Sequence, residues 1–352
     1  LIQVELLNNL GDRDWDLYVR AHPQSSPYHL IGWKKAVELA YQHPCFSFVA
    51  KEGNLIKGVL PLVKIKVPLA GSNFCSLPYC DIGGVLSDSE KVSEKLIEAA
   101  KKLAASEGAS SLSLRQSAPN SKHNSDGEGT ELEPGTKVRM ILKLPGSAEL
   151  LLNGFKAKLR SQIKKAEKNG VQYRIAEGLR DRDAFYKVMQ INMRQLGSPV
   201  HSRTWFDSVL DFYKEDARLF IVHVGEVVVG GSIVLTCGET ATVPWASTLP
   251  DYNRLAPNML LYWGMLEFAA DKGFKRFDFG RSTIGEGTFN FKKQWGAVPV
   301  ALDWQEHLQQ KPPSRETDNS LRLRSRVAAT WSKLPLPLVN FLGPKFRRYI
   351  SL

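Results

Sequence analysis

Phe277-Asp278-Phe279-Gly280-Arg281-Ser282, followed closely by Phe289-Asn290-Phe291-Lys292-Lys293-Gln294-Trp295-Gly296, reads as a short buried strand ending at a glycine, a polar loop, and a lysine between aromatics. Gly280 lets the backbone turn where the strand ends. Gly285 and Gly287 keep the intervening loop pliable enough to close around a ligand. Phe291 and Trp295 would dry the surroundings of Lys292 and strengthen any charge it presents to a substrate. Arg281, Ser282, Phe291 and Trp295 are therefore candidate substrate-binding residues, and Lys292 is a candidate catalytic one.

Working outward from this stretch, the same order of elements is read twice. A helical segment around Trp33–Ala40 precedes a hairpin, Phe46–Ala50 and Leu55–Val63, turned at Gly53-Asn54. Apolar spacing at Val92, Leu96, Ile97, Ala100 and Leu103 predicts a helix over 89–106, and Ser111–Arg115 reads as a strand. In the second half a helix begins at Asp183, and Leu219–Val224 and Val227–Leu235 form a hairpin turned at Gly225-Glu226. A helix from Pro257 and the strand Arg276–Phe279 follow. Helix, hairpin, helix and strand in both halves predict a mixed α/β protein of two tandem GNAT-like (Gcn5-related N-acetyltransferase) domains. Each domain would carry its own sheet, with a cleft between them near Asp81 and Lys292. The domains are read as 1–145 and 146–310, with a basic amphipathic tail at 311–352. The stretch 118–136 has no apolar periodicity and reads as a surface excursion.

Two motifs in this order carry a resemblance to a known family. Ser76-Leu77-Pro78-Tyr79-Cys80-Asp81-Ile82-Gly83-Gly84 and the later FKxxWG of Phe291–Gly296 resemble the Fem family of peptidoglycan-bridge aminoacyltransferases. The first motif looks like that of the FemAB-like proteins found beside exosortase (PEP-CTERM) and exopolysaccharide genes. The resemblance covers roughly residues 25–305. It implies an acyltransferase that takes an aminoacyl group from charged tRNA to an amine of an envelope glycan or peptide precursor, with Lys292 facing the transition-state charge. Asp81 is the candidate base with Tyr79 as its hydrogen-bonding neighbour, and a turn aspartate serving its own loop's amides is the other reading. Asp278 is expected to pair with Arg281 as a structural ion pair.

The donor is read from what stands before the helix at Asn258. An acetyl-CoA loop needs glycines there so that backbone N–H groups can hold the pyrophosphate. Asp251-Tyr252-Asn253-Arg254-Leu255-Ala256-Pro257 offers none, and Pro257 removes a donor. No cofactor is expected, aminoacyl-tRNA is the expected co-substrate, and acyl-CoA or an acyl carrier is the alternative. A non-catalytic RNA- or envelope-binding module is the third reading. The helix around 155–170 carries Lys158, Arg160 and Lys164 among its cations, placed either as a solvated face or as contacts to tRNA phosphates. His29 could line the first-domain cleft or serve the structure. The seven histidines show no HExxH and no paired His/Cys spacing, so no metal is expected.

Composition fits this reading. The chain of 352 residues is 43% hydrophobic and 24% charged, enough for two globular cores. It shows no run of 18 apolar residues, no secretory leader and no framework spacing among its four cysteines, which predicts a cytoplasmic protein with reduced thiols. The net charge of +11 is uneven: residues 311–352 hold nine Lys or Arg against Glu316 and Asp318. Basic charge mixed with Trp331, Phe341 and Phe346 predicts either peripheral contact with an anionic inner-membrane surface or packing back on the first domain.

Overall fold

The computed structural model describes residues 1–7, 11–69, 71–117, 132–308 and 318–351. Residues 118–131 of the surface excursion, and the tail side chains of Lys311, Arg315, Arg322 and Arg324, lie outside the described residues.

The first half runs β1 (Ile2–Leu6), α1 (Asp12–Ala21), α2 (Ile31–Tyr41), β2 (Cys45–Glu52), β3 (Leu55–Val67), β4 (Gly71–Cys75), β5 (Leu86–Ser87), α3 (Glu90–Ser106) and β6 (Ser111–Ser117). Glu52 pairs with Leu55, so Gly53-Asn54 is a two-residue hairpin loop, with Gly53 at φ +59°. Helix α3 turns Val92, Leu96, Ala100 and Ala104, spaced four apart, onto the sheet, where they meet Leu60, Leu62, Leu112 and Leu114.

The second half runs β7 (Lys137–Lys143), α4 (Ala148–Gly154), α5 (Ala157–Lys168), β8 (Val171–Ile175), α6 (Gly178–Gln195), α7 (Arg203–Tyr213), β9 (Ala217–Val224), β10 (Val227–Cys237), β11 (Thr240–Thr248), α8 (Pro257–Asp271), β12 (Arg276–Thr283), α9 (Gly287–Lys293) and β13 (Val298–His307). Val224 pairs with Val227, which makes Gly225-Glu226 the second two-residue loop. Helix α8 is apolar nearly all round and is correspondingly buried.

The halves share one arrangement. In each, a short parallel ladder closes the sheet and then opens: β4 with β6 over Asn73–Cys75, and β11 with β12 over Thr240–Thr242. The expectation of two separate sheets needs correction. Strand β13 pairs with β7 over Val298–Ala301, then crosses to β6 over Leu302–His307. The strand order is therefore continuous, β1-β2-β3-β4-β6-β13-β7-β12-β11-β10-β9-β8. Strand β7, which precedes the boundary read at 145/146, lies in the second half between β12 and β13.

The two halves also share a core. Trp33 of α2 packs edge-on to Trp205 of α7 at 5.0 Å and stacks on Trp245 of β11 at 5.7 Å. Tyr41 and Tyr79 close on the same Trp205 at 5.6 and 5.2 Å. Each such pair adds roughly 0.5–1.5 kcal/mol beyond its buried area.

The C-terminal segment forms α10 (Asp318–Lys333) and α11 (Leu336–Arg347). Both rest on α6 and the turn after it. Arg194 donates to Leu334 O at 2.6 Å, and a Cβ on Gly197 would strike Ala328 O at 2.5 Å.

Candidate active site

Strands β11 and β12 stop pairing after Thr242 and Asp278, and the wedge beyond them is a cavity of about 290 Å³. Its walls come from three places: Val243–Ala246 and Phe279–Arg281 of the two strands, Tyr79–Asp81 of the first half, and Tyr28, Tyr262, Lys292 and Arg347. The structure thus brings Asp81 and Lys292 to one cavity between the halves.

Gly280 shapes the floor. Its φ of +73° lies in the region that favours glycine, and an added Cβ would sit 3.2 Å from Val243 O and 3.9 Å from Asp81 Oδ2. Asp278 fixes this bend: one oxygen accepts Gly280 N–H at 2.8 Å, and the other takes Arg139 Nη2 and Nε at 2.7 and 3.0 Å. The expected Asp278–Arg281 pair is therefore replaced by Asp278–Arg139. The side chain at 278 lies on the β7 side of β12, beyond the reach of Arg281, which turns after Gly280 toward the first half.

Lys292 reaches the cavity from the short helix α9 and is 8% exposed. Its Nζ donates to Arg281 O at 2.7 Å and to Gly280 O at 3.2 Å, leaving one of its three N–H bonds for the cavity. Burial lowers its pKa to about 8, partly opposed by the charges of Asp278 and Asp81. The ammonium thus prevails at neutral pH but gives up its proton within reach of physiological conditions.

Asp81 faces it from the loop Ser76–Gly84, which leaves β4 where the first parallel ladder ends. It accepts no N–H of its own loop. Instead Oδ2 takes Arg281 N–H at 3.2 Å and Oδ1 lies 3.4 Å from Arg281 Nε. Trp304 of β13 holds the loop from beneath by donating to Asp81 O at 2.9 Å. Gly84 is needed because the β6 backbone passes close by: a Cβ there would lie 2.9 Å from Arg115 O. His29 is buried and bonded to Ser26 and Gly84 O, with burial depressing its pKa to about 4, and it also lines a cavity of about 850 Å³ beside Ile82, Gly83 and Arg115.

Tyr79 departs from its expected role beside Asp81. Its hydroxyl donates to Arg348 O at 2.8 Å and its backbone N–H to Ser351 O at 2.6 Å, so it anchors the C-terminal segment. The backbone there sits at φ +66°, a strained state for a bulky residue. Phe291 and Trp295 pack behind Lys292, on Tyr262 and Phe155, and do not line the cavity. Ser282 is buried with an unbonded Oγ, away from the cavity lining.

On α5 the residues separate by role. Leu159, Ile163 and Ala166 face the core, and Lys158 and Lys164 stand exposed. Arg160 turns back to Phe155 O at the end of α4, which makes it a helix-terminal residue. Lys158 also borders a second cavity of about 590 Å³, floored by Leu151, Phe155 and Trp295. The basic helix and the 290 Å³ cavity are thus separate features.

Sequence reasoning missed Tyr28, Trp245, Tyr262 and Arg347 as cavity residues. Trp205, Phe206, Val209, Leu210 and Tyr213 repeat at helical spacing and would have revealed α7, the helix that seats Trp245.

Lys292 and Asp81 line one cavity between the halves, and residues 153–293 match the acetyltransferase (GNAT) domain family. Two GNAT units stand in tandem. The chain is similar to the lipid II:glycine glycyltransferase of Staphylococcus haemolyticus at 22% identity, covering 82% of this chain and 89% of that protein. Among solved structures, FemX superposes with a TM-score of 0.68 at 16% identity, covering 87% of this chain and 98% of the other. A tandem GNAT protein from the clavulanic acid biosynthesis pathway gives 0.51 at 11% identity, with the same coverages. Tandem halves, the Fem-like motifs and the position of the cavity therefore agree on fold and on the class of enzyme, an acyltransferase.

Proposed function

We propose that the protein transfers an aminoacyl group from charged tRNA to an amine of a cell-envelope precursor, of peptidoglycan or exopolysaccharide type. The observation that carries this reading is the buried Lys292 opposite the Asp81–Arg281 pair in the wedge between β11 and β12. The amine attacks the ester carbonyl, a C–N bond forms, and negative charge collects on the carbonyl oxygen, where the Lys292 ammonium stabilises it. The nitrogen loses a proton to Asp81, and as the C–O bond to the ribose breaks Asp81 returns that proton to the ribose oxygen.

The donor is inferred from the segment before α8. It is a 3₁₀ segment, Pro250–Leu255, leading through Ala256 at φ +60° into Pro257, with no glycine to bring amides onto a pyrophosphate. The exposed Lys158 and Lys164 suit tRNA phosphates. The similarity to a lipid II:glycine glycyltransferase supports a lipid-linked acceptor, and the SLPYCDIGG segment supports the exopolysaccharide alternative. No helix among the described residues is long and apolar enough to cross a membrane. Contact with an anionic surface would instead come from the tail, where Phe341, Phe346 and Ile350 are exposed beside Lys345.

The match to an acetyltransferase domain keeps acyl-CoA as the second reading. Mass spectrometry of envelope precursors incubated with total charged tRNA, or with acetyl-CoA, separates the two. An aminoacyl mass increment that needs charged tRNA supports the proposal, and an acetyl increment alone overturns it.

A further inference from the structure

The segment that carries Lys292 borders a second hollow, the groove of about 590 Å³ on which Lys158 stands. Lys292 leaves α9 toward the cavity between the halves, whereas the next four residues, Lys293, Gln294, Trp295 and Gly296, line the groove. Successive residues leave a helix roughly 100° apart, so the two neighbouring lysines serve different faces. One short helix, about 10–12 Å across with its side chains, thus borders both hollows. The opposite wall of the groove is the end of β7 with the corner between α4 and α5.

The lining is of two kinds. Leu142, Leu151 and Leu159 make an aliphatic floor, and Leu150 at its edge is 60% exposed. Around them stand four exposed cations, Lys143, Lys156, Lys158 and Lys293. No aspartate or glutamate lines the groove, and among the described residues none of the four lysines is held in an ion pair or donates a hydrogen bond. Trp295, only 1% exposed, keeps its Nε1–H buried without a hydrogen bond. An indole nitrogen can only donate, so what it lacks is an acceptor, which a phosphate oxygen would supply.

Aliphatic surface beneath a ring of lysines suits an anion that carries an aliphatic chain. The chain takes water off the leucines, and the ammonium groups meet the phosphate as point charges. A single strand of nucleic acid fits less well, because it is held by bases stacked on open aromatic faces. The two aromatics here, Phe155 and Trp295, are buried and turned edge to face on one another at 5.5 Å. The place of the groove selects the source of the anion. A bilayer lipid has no need of the helix that bears Lys292, whereas the carrier of an acceptor must come that near. We propose that the groove binds the lipid carrier of the acceptor, its phosphate at the four lysines and the first carbons of its chain on the leucines. The acceptor's head group then passes over α9 to Lys292. This inference rests on the aminoacyl-transfer reading above and gives its lipid-linked acceptor a binding site. Lys158 then serves the carrier, and Lys164, which does not line the groove, remains for tRNA.

The test uses the full chain and no tRNA. Calorimetric titration, below micelle-forming concentrations, compares octyl phosphate with octanol, inorganic phosphate, the trinucleotide CCA and dihexanoyl phosphatidylglycerol. The proteins are wild type, the double variant Lys156→Gln/Lys293→Gln, Leu150→Asn, and the control Lys168→Gln, whose exposed lysine lies outside the groove. Octyl phosphate should bind at least about tenfold more tightly than each of the other four probes. The double variant should weaken it at least about tenfold, Leu150→Asn at least about threefold, and Lys168→Gln not at all. Circular dichroism establishes that each variant is folded, and Leu150→Asn decides if the double variant is not. Octanol or inorganic phosphate binding as tightly as octyl phosphate would overturn the proposal, as would folded variants that bind like wild type. Tighter binding of CCA would hand the groove to RNA, and tighter binding of the phosphatidylglycerol to bilayer lipid; either result overturns it too. Because the readout is binding, aminoacyl transfer from charged tRNA without octyl phosphate binding removes this inference and leaves the function proposed above standing.

Discussion

Asp81 and Arg281 lie 200 positions apart, yet the carboxylate of the first takes the backbone N–H of the second at 3.2 Å and lies 3.4 Å from its Nε. One ion pair thus spans the two halves at the cavity, with Lys292 lining the same cavity. Asp81→Asn keeps the shape and removes the charge. Loss of a general base lowers turnover by roughly 10²–10⁴-fold. The pair is partly exposed, so the change in stability should stay within about 1 kcal/mol. Single-turnover rates and thermal unfolding of the same samples separate the two effects. Lost stability with an unchanged rate would make Asp81 a clamp only.

Replacing Lys292 acts on both function and folding. Lys292→Met should reduce turnover about ten- to a thousandfold, the effect of removing one group that faces a developing oxyanion. Folding should also suffer. The ammonium satisfies two carbonyl oxygens, and stranding them costs on the order of 1–3 kcal/mol. Denaturant titration measures the second term. A variant as stable as wild type would show that water takes over both carbonyls.

The lowered Lys292 pKa gives a pH signature. Folding depresses it from 10.5 to about 8, so below about 8 both folded and unfolded chains hold the proton and the burial penalty is fully present. Between about 8 and 10.5 the unfolded chain binds more protons, and this group's contribution to stability rises with pH. Activity should move the other way if the ammonium is the working form, falling as pH passes about 8. Wild-type and Lys292→Met stability curves across that window should diverge by this one group. A turnover that climbs through pH 8 would assign Lys292 the role of base.

Membrane attraction should be weaker than the tail's composition suggests. Arg347 and Arg348 are engaged with His201 and Tyr41 O, which leaves Arg326, Lys333 and Lys345 as the exposed cations among the tail's described side chains. Each adds roughly 1 kcal/mol near an anionic surface, screened over a Debye length of about 8 Å at physiological salt. Sedimentation with anionic liposomes should show binding that fades between low and high salt. Exchanging Arg326, Lys333 and Lys345 for Gln should weaken it while leaving the fold in place. Binding unchanged by the exchange would assign the contact to other residues of the tail.

Local chemistry explains what could be read directly from the residues. The two hairpins announce themselves through Gly53-Asn54 and Gly225-Glu226, and α3 through apolar residues four apart. Lys292 stood out because aromatics and glycines crowd around it within one short segment. Contacts between distant segments left no such mark. Whether Asp278 meets Arg139 or Arg281 depends on β7 lying alongside β12, which is not encoded near Asp278. Tyr79 serves the C-terminal segment, so its role is invisible until residues 348 and 351 are folded against it. Strand β13 was missed because its side chains are nearly all half-buried, which blurs the period-two alternation that reveals an ordinary strand.

That strand also sets an order of events during synthesis. Strand β6 has β4 on one side, but its other neighbour is the last half of β13, which leaves the ribosome some 190 residues later. Until then the nascent first half presents an open strand edge, able to pair with any passing chain. Fragments cut at the midpoint of the sequence would keep that edge permanently and should precipitate, whereas two fragments produced together could complete each other's sheet.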